Sequence, residues 1–197
     1  MLTDMTVRDF CAMLASGAPA PGGGSASALS GLLAASLGLM VINLSVGKKA
    51  YQALADDEKQ ALADARISLE RDYARLTELT DEDSAAFTAF MDARAIAKDD
   101  PGRENAIEAA SLRMTETPLE TCGICAKLRE SLKTVSELGN KNAASDAGTA
   151  VLLAQAAMRG AEMNVRINLP SIKNEDKRTA IELALNDYII RGLGSIE

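Results

Sequence analysis

The sequence predicts an all-α protein, a single-domain bundle of about six to eight helices around one buried, uncharged central helix. Three observations carry this. No Asp, Glu, Lys or Arg occurs between Asp9 and Lys48, whereas the rest of the chain sets apolar residues at helical spacing among many charges. Short stretches rich in Gly, Pro and Asn separate these runs. No two segments alternate so as to pair as strands. The 197 residues fit one domain, 1–197, with a core large enough to fold without disulfides or a metal.

The elements follow in order. Thr6 to Ala15 places Val7, Phe10, Cys11 and Leu14 at helical spacing, with Thr6 and Asp9 resembling a capping pair. Gly17 to Gly24 holds two prolines and four glycines and reads as a loop. Ser25 to Gly47 is apolar enough for a membrane span. It is rich in Ser, Ala and Gly, however, and no basic flank or signal-like region precedes it. A helix buried on all sides by other helices is the better reading, so no membrane association is expected. Ser27, Gly31, Ala34, Ala35 and Gly38 let neighbouring backbones approach, a packing that also suits a subunit interface and hence a homodimer.

Asp56 to about Ala97 is long and amphipathic through Leu62, Ile67, Leu69, Tyr73, Leu76 and Leu79, with a kink or break expected at Asp81–Ser84. Asp99 to Gly102 is a turn. Glu104 to Met114 is a helix, and Pro118 is expected to open the next, which runs to about Leu138. Gly139 and Asn140 close that helix, and Asn142 or Ser145 caps another extending to about Asn168. Met163, Val165, Ile167 and Leu169 alternate, a weak strand signal with nothing to pair with. Pro170 stops the segment, and Asn174 begins a last helix through Ile190.

Composition narrows the function. A net charge of −7 and 3% aromatic residues oppose a nucleic-acid partner, which draws on basic surface and stacking side chains. With no histidine, Ser-His triads and His-bound catalytic metals are excluded. Three cysteines, an odd number, suit a reducing, cytoplasmic setting. Cys122 and Cys125 form a CxxC pair, better read as small residues packed in a helix than as a redox or zinc motif. No metal and no cofactor are expected.

Four segments are polar or glycine-rich where packing alone does not require it. Gly22, Gly23, Gly24 and Ser25 stand at a helix N-terminus, where exposed N–H groups can hold an anion or merely form a flexible entry. Lys48 and Lys49 end the uncharged helix, where they complement its dipole or meet a ligand. Asp83, in the run Asp81 to Phe87, puts a carboxylate beside apolar residues. The run Gly139 to Gly148 sets Asn140, Asn142, Ser145 and Asp146 among alanines and glycines. Asn164 and Asn168 share a helix face.

Taken in this order, the segments PAPGGGSASA (19–28), LSVGKKAY (44–51), DSAAF (83–87), TPL (117–119), GNKNAASDAG (139–148) and GAEMNVRINL (160–169) resemble the formiminotetrahydrofolate cyclodeaminase family, which includes methenyltetrahydrofolate cyclohydrolases. Ser45 stands where the family pattern has Thr, and the hydroxyl is kept. The resemblance implies a helical dimer that closes 5-formiminotetrahydrofolate to 5,10-methenyltetrahydrofolate with loss of ammonia. Its alternatives are hydrolysis of the methenyl form to 10-formyltetrahydrofolate, or a non-catalytic folate-binding dimer. Under it, Asp146 and Asp83 are the expected acid and base. Lys48 or Lys49 would meet the glutamate tail, polyglutamylated or not, or the leaving amine. Gly22 to Ser25, Asn140, Asn142, Ser145 and Asn168 would line the folate site.

Overall fold

The structure, a computed structural model, describes residues 1–193. After a short N-terminal turn the helices are α1 (Val7–Leu14), α2 (Gly23–Ser45), α3 (Lys49–Gln52), α4 (Asp56–Ala95), α5 (Arg103–Leu138), α6 (Ala144–Asn168) and α7 (Glu175–Leu193). No strand occurs among the described residues. The doubtful alternation at Met163–Leu169 is helical up to Asn168, with Val165 and Leu169 buried and Met163 and Ile167 exposed.

Helix α2 is the centre of the bundle, flanked by α4, α5 and α6, while α7 covers α5 and α6. It runs antiparallel to α4: Gly24 lies against Asp83, Gly31 against Leu76 and Gly38 against Leu69. It is also antiparallel to α6, since Gly23 meets Asn164 and Ser27 meets Gly160. The glycines are required by close approach. A Cβ on Gly31 would stand 2.8 Å from Cys125 Sγ, and one on Gly38 would stand 2.6 Å from Leu132 Cδ2. Serines beyond the first turn are tolerated in this buried helix because each returns its hydroxyl to its own backbone. Ser27 donates to the Gly23 carbonyl at 2.7 Å, Ser36 to Leu32 at 2.8 Å and Ser45 to Val41 at 2.7 Å. By length and apolarity α2 could cross a membrane, yet 56% of its most apolar window is buried inside the bundle.

Around α2 the core forms two contiguous groups. One joins Ala28 and Leu32 to Leu76, Leu79, Cys122, Cys125, Met158 and Leu185. The other joins Ala35 and Ile42 to Leu62, Leu69, Leu128 and Leu132. Each buried leucine contributes roughly 1.5–3 kcal/mol by leaving water. Cys122 and Cys125 are free and buried, and burial pushes the Cys122 thiol up to about 12, so the pair is packed rather than reactive.

Four expected boundaries are corrected. The break at Asp81–Ser84 is absent, because α4 is continuous and its three acids leave on different faces. Asp81 accepts from the Leu2 amide and Thr3, Glu82 from Arg75, and Asp83 from Ser25. Pro118 does not start a helix but lies within α5. Its ring has no N–H for the Met114 carbonyl four residues back. Asn168 Nδ2 on α6 supplies that donor at 2.9 Å, so the helix passes through. Neither Asn142 nor Ser145 caps α6. Asn140 Oδ1 accepts the Asn142 amide at 3.0 Å, which starts a single 3-10 turn that leads into α6. The last helix extends beyond the expected Ile190 to Leu193.

On the outside of the bundle α2 and α6 carry uncharged, apolar positions. Leu33, Met40 and Leu44 of α2 are exposed, as are Leu152, Met163 and Ile167 of α6.

Candidate functional site

The N-terminus of α2 is where sequence and structure converge. Gly22 is the N-cap and provides no capping side chain, so the first N–H groups of the helix need an acceptor from elsewhere. From sequence the glycine turn could offer them to an external anion or merely form a flexible helix entry. The protein fills that place with its own Asp83, which projects from α4. An added Cβ on Gly24 would come within 1.9 Å of Asp83 Oδ1, so only glycine lets the carboxylate lie against the helix end. Ser25, fully buried, donates its hydroxyl to Asp83 Oδ2 at 3.0 Å and also offers its backbone N–H.

Two influences set the charge of Asp83. Burial raises its pKa above the ordinary carboxylate value, and the Ser25 side-chain and backbone bonds oppose the rise. Burial prevails. No charged side chain bonds to it among the described residues, since Arg75 is engaged by Glu78, Glu82 and Glu120. A partly desolvated carboxylate whose pKa is raised in this way holds a proton more readily than a free one, and in its ionised form it can face a cationic group.

Asn164, from the neighbouring turn of α6, stands beside Gly23 and donates to the Gly160 carbonyl at 2.8 Å, leaving its amide oxygen available. Ser84 lies with its Oγ 3.0 Å from Ser25 Oγ. Ser84 was not singled out from sequence as a site residue, and Asn164 was noted only for sharing a helix face with Asn168. A signal for this end of the site was present in the seven-residue spacing of Gly24, Gly31 and Gly38, matched by Asp83, Leu76 and Leu69 on α4.

The remaining expected residues lie elsewhere. Asn168 is at the same end of α6 but is engaged with the Met114 carbonyl. Lys48, Lys49, Asn140, Asn142, Ser145 and Asp146 gather at the opposite end of α2, roughly 33 Å from the glycine turn at 1.5 Å per residue. Within one chain, therefore, Asp146 and Asp83 do not meet. Asn140 joins helix ends there: its backbone N–H donates to Ser45 Oγ at 2.8 Å and its side chain to the Leu44 carbonyl at 3.0 Å. Lys141 caps α5 through the Ser136 and Glu137 carbonyls. Lys48 and Lys49 are exposed, Asp146 is half-exposed, and the side chains of Asn142, Ser145 and Asp146 make no hydrogen bond among the described residues. The polar cluster is thus partly a helix-capping device and partly unassigned surface. No group of three or more acidic or cysteine side chains is placed to hold a metal ion among the described residues.

Comparison with known proteins identifies the family. The family model described as formiminotransferase-cyclodeaminase matches residues 6–187. A methenyltetrahydrofolate cyclohydrolase of Methylorubrum extorquens is 38% identical over 95% of this chain and 88% of its own length. The formimidoyltransferase-cyclodeaminase of Gallus gallus is 31% identical over 81% of this chain, which spans only 30% of that longer protein. In three dimensions the fold matches the crystal structure of formiminotetrahydrofolate cyclodeaminase from Thermotoga maritima with a TM-score of 0.87. That match has 27% identity and covers 98% of this chain and 93% of that one. The bundle and these likenesses agree: the chain belongs to the formiminotransferase-cyclodeaminase family, whose members act as folate one-carbon cyclodeaminases and cyclohydrolases.

Proposed function

We propose that the protein is a methenyltetrahydrofolate cyclohydrolase, opening the bridge of 5,10-methenyltetrahydrofolate to give 10-formyltetrahydrofolate. The observation that carries the chemistry is Asp83, a half-buried carboxylate without a basic partner among the described residues, seated on the first turn of α2. The methenyl bridge is an amidinium, with positive charge shared by N5 and N10, and a carboxylate of this kind is complementary to it. As base, Asp83 takes a proton from the water that adds to the bridging carbon. As acid, it returns a proton to N5 when the carbon–N5 bond breaks, and one proton is released overall.

The 38% identity with the Methylorubrum cyclohydrolase over nearly its whole length favours this reaction. The Thermotoga structure favours a second, which is cyclisation of 5-formiminotetrahydrofolate to the methenyl form with loss of ammonia. There N10 attacks the formimino carbon and loses its proton, and that proton together with one from the protonated Asp83 lets the former imine nitrogen leave as ammonia, giving the methenyl cation. Both reactions share the methenyl species and neither calls for a redox cofactor. One experiment separates them: purified protein is given methenyl- and formiminotetrahydrofolate in turn, with methenyl absorbance and ammonia followed together. Accelerated loss of absorbance from the first supports hydrolysis. A rise with ammonia release from the second supports cyclisation. Folate binding with neither change supports the non-catalytic alternative.

The reading extends to a homodimer through the exposed apolar positions of α2 and α6. A two-fold partner seated antiparallel on them would bring its Lys48, Lys49 and Asp146 end opposite the Asp83 end. The lysines would then be available for the carboxylates of a folate tail, polyglutamylated or not. Sedimentation checks the assembly, and a monomer at working concentration removes it.

A further inference from the structure

We propose that Ser84, Ser25 and Asp83 form a reversible hydroxyl chain that carries a proton between the carboxylate and the surface and reverses direction with the protonation of Asp83. The inference rests on the functional reading only for its kinetic consequence. Its physical content lies in the geometry.

Ser25 Oγ is 3.0 Å from Asp83 Oδ2 and 3.0 Å from Ser84 Oγ, so three oxygens lie in a continuous chain. The two serines are unlike most other hydroxyls of α2 and α4. Ser27, Ser30, Thr80 and Thr88 each bond the carbonyl four residues back. For Ser25 that residue is Pro21, before the helix begins, and Ser84 makes no such bond. Their protons are therefore free to serve the chain. Ser25 is fully buried, whereas Ser84 is half-buried and open to water.

A hydroxyl has one proton to donate and can accept at the same time. With Asp83 ionised, Ser84 donates to Ser25 and Ser25 donates to Asp83. With Asp83 protonated, the acid donates to Ser25 and Ser25 to Ser84. Passage between the two states moves one proton along each link: one O–H bond breaks and one forms at Ser25, and the proton is exchanged with water at Ser84. The charged groups nearby are committed elsewhere. On α4, Asp81 bonds the N-terminal turn and Glu82 bonds Arg75. On α5, Glu120 also bonds Arg75 and Arg113 acts on Glu82. On α6, Glu162 is held by Arg159 and Arg166, and α2 carries no charge. The hydroxyls are therefore the groups that respond when Asp83 titrates.

The test is direct titration of the Asp83 carboxyl by carbon NMR in the full chain, with Ser25→Ala, Ser84→Ala and Ser84→Thr variants. Loss of Ser25 removes a donor to the anion, and the midpoint should rise by about one pH unit. Loss of Ser84 removes the hydroxyl that polarises Ser25, and the midpoint should rise by a smaller but resolved amount. Ser84→Thr keeps the hydroxyl and should restore it. In the active enzyme, Ser84→Ala should lower kcat by about tenfold with little change in KM. A Ser84→Ala midpoint identical to wild type overturns the chain, whatever substrate is turned over. If neither folate reacts with the wild-type protein, the function assigned above fails while the NMR shifts still decide the chain.

Discussion

The seam between α2 and α4 repeats one contact three times with two different outcomes. At Gly38 and at Gly31 the facing residues are Leu69 and Leu76, both fully buried. At Gly24, one heptad further on, the same position of α4 presents Asp83. Two levels are packing and the third is a site, although the backbone geometry that admits them is shared. A glycine in a helix is disfavoured by about 1 kcal/mol relative to alanine. In the lower levels that disadvantage is offset by buried leucine. At the top it is accepted so that a carboxylate can cap the helix, and under the proposed function the outcome there is chemistry rather than stability.

The comparison can be broken by substitution, and the largest effect is expected at its polar level. Asp83→Asn keeps the shape but removes the exchangeable proton, so turnover should fall by about 10²–10⁴-fold while the helical circular dichroism stays unchanged. Unaltered kcat would move the acid–base role to another residue. Gly24→Ala should also abolish most activity, because the added methyl displaces Asp83 Oδ1. By contrast, Gly31→Ala and Gly38→Ala should each lower stability by about 1–3 kcal/mol in urea unfolding yet retain kcat per folded molecule. If the middle glycines proved as costly to turnover as Gly24, the division of the seam would be wrong.

A smaller effect concerns pH. The folded-state pKa of Asp83 is raised by burial, so ionisation is harder in the folded chain than in the unfolded one. The stability associated with the neutral form is fully present below the ordinary value of 3.8 and is lost as pH rises through the folded pKa. Asp83→Asn lacks this loss. Its stability relative to wild type should therefore increase with pH across that window, measured by denaturant titration at several pH values. The smallest expected effect lies off the seam. Asn168→Ala should cost about 1 kcal/mol by leaving the Met114 carbonyl unpaired, and much less in a Pro118→Ala background, where α5 supplies its own donor.

The same contrast shows what could be read beforehand. The helical class, the burial of α2 and the positions of most turns follow from charge distribution and spacing, which are local properties. So does the small-residue face of α2, because close approach demands it wherever the partner lies. The continuity of α5 was not legible, since the donor that bridges Pro118 comes from Asn168, 50 residues later in sequence. Likewise the cluster around Asn140 looked too polar for capping because two of its residues, Asn140 and Lys141, serve three helix ends at once: the close of α2, the close of α5 and the turn into α6. Asp83 and the glycine turn were both marked, but as separate features. Their union depends on the register of α4 against α2, which two leucine–glycine contacts set from below.

Pro118 has a consequence for the order of assembly. A helix ordinarily completes its own main-chain bonding as it forms, and can wait for neighbours to dock. Here the Met114 carbonyl is left open inside α5 until Asn168, at the far end of α6, arrives. The middle of α5 therefore reaches its final bonding only when α6 has been laid down along its full length. Two helices joined in this way should gain protection against amide exchange together, as one cooperative unit rather than as successive ones.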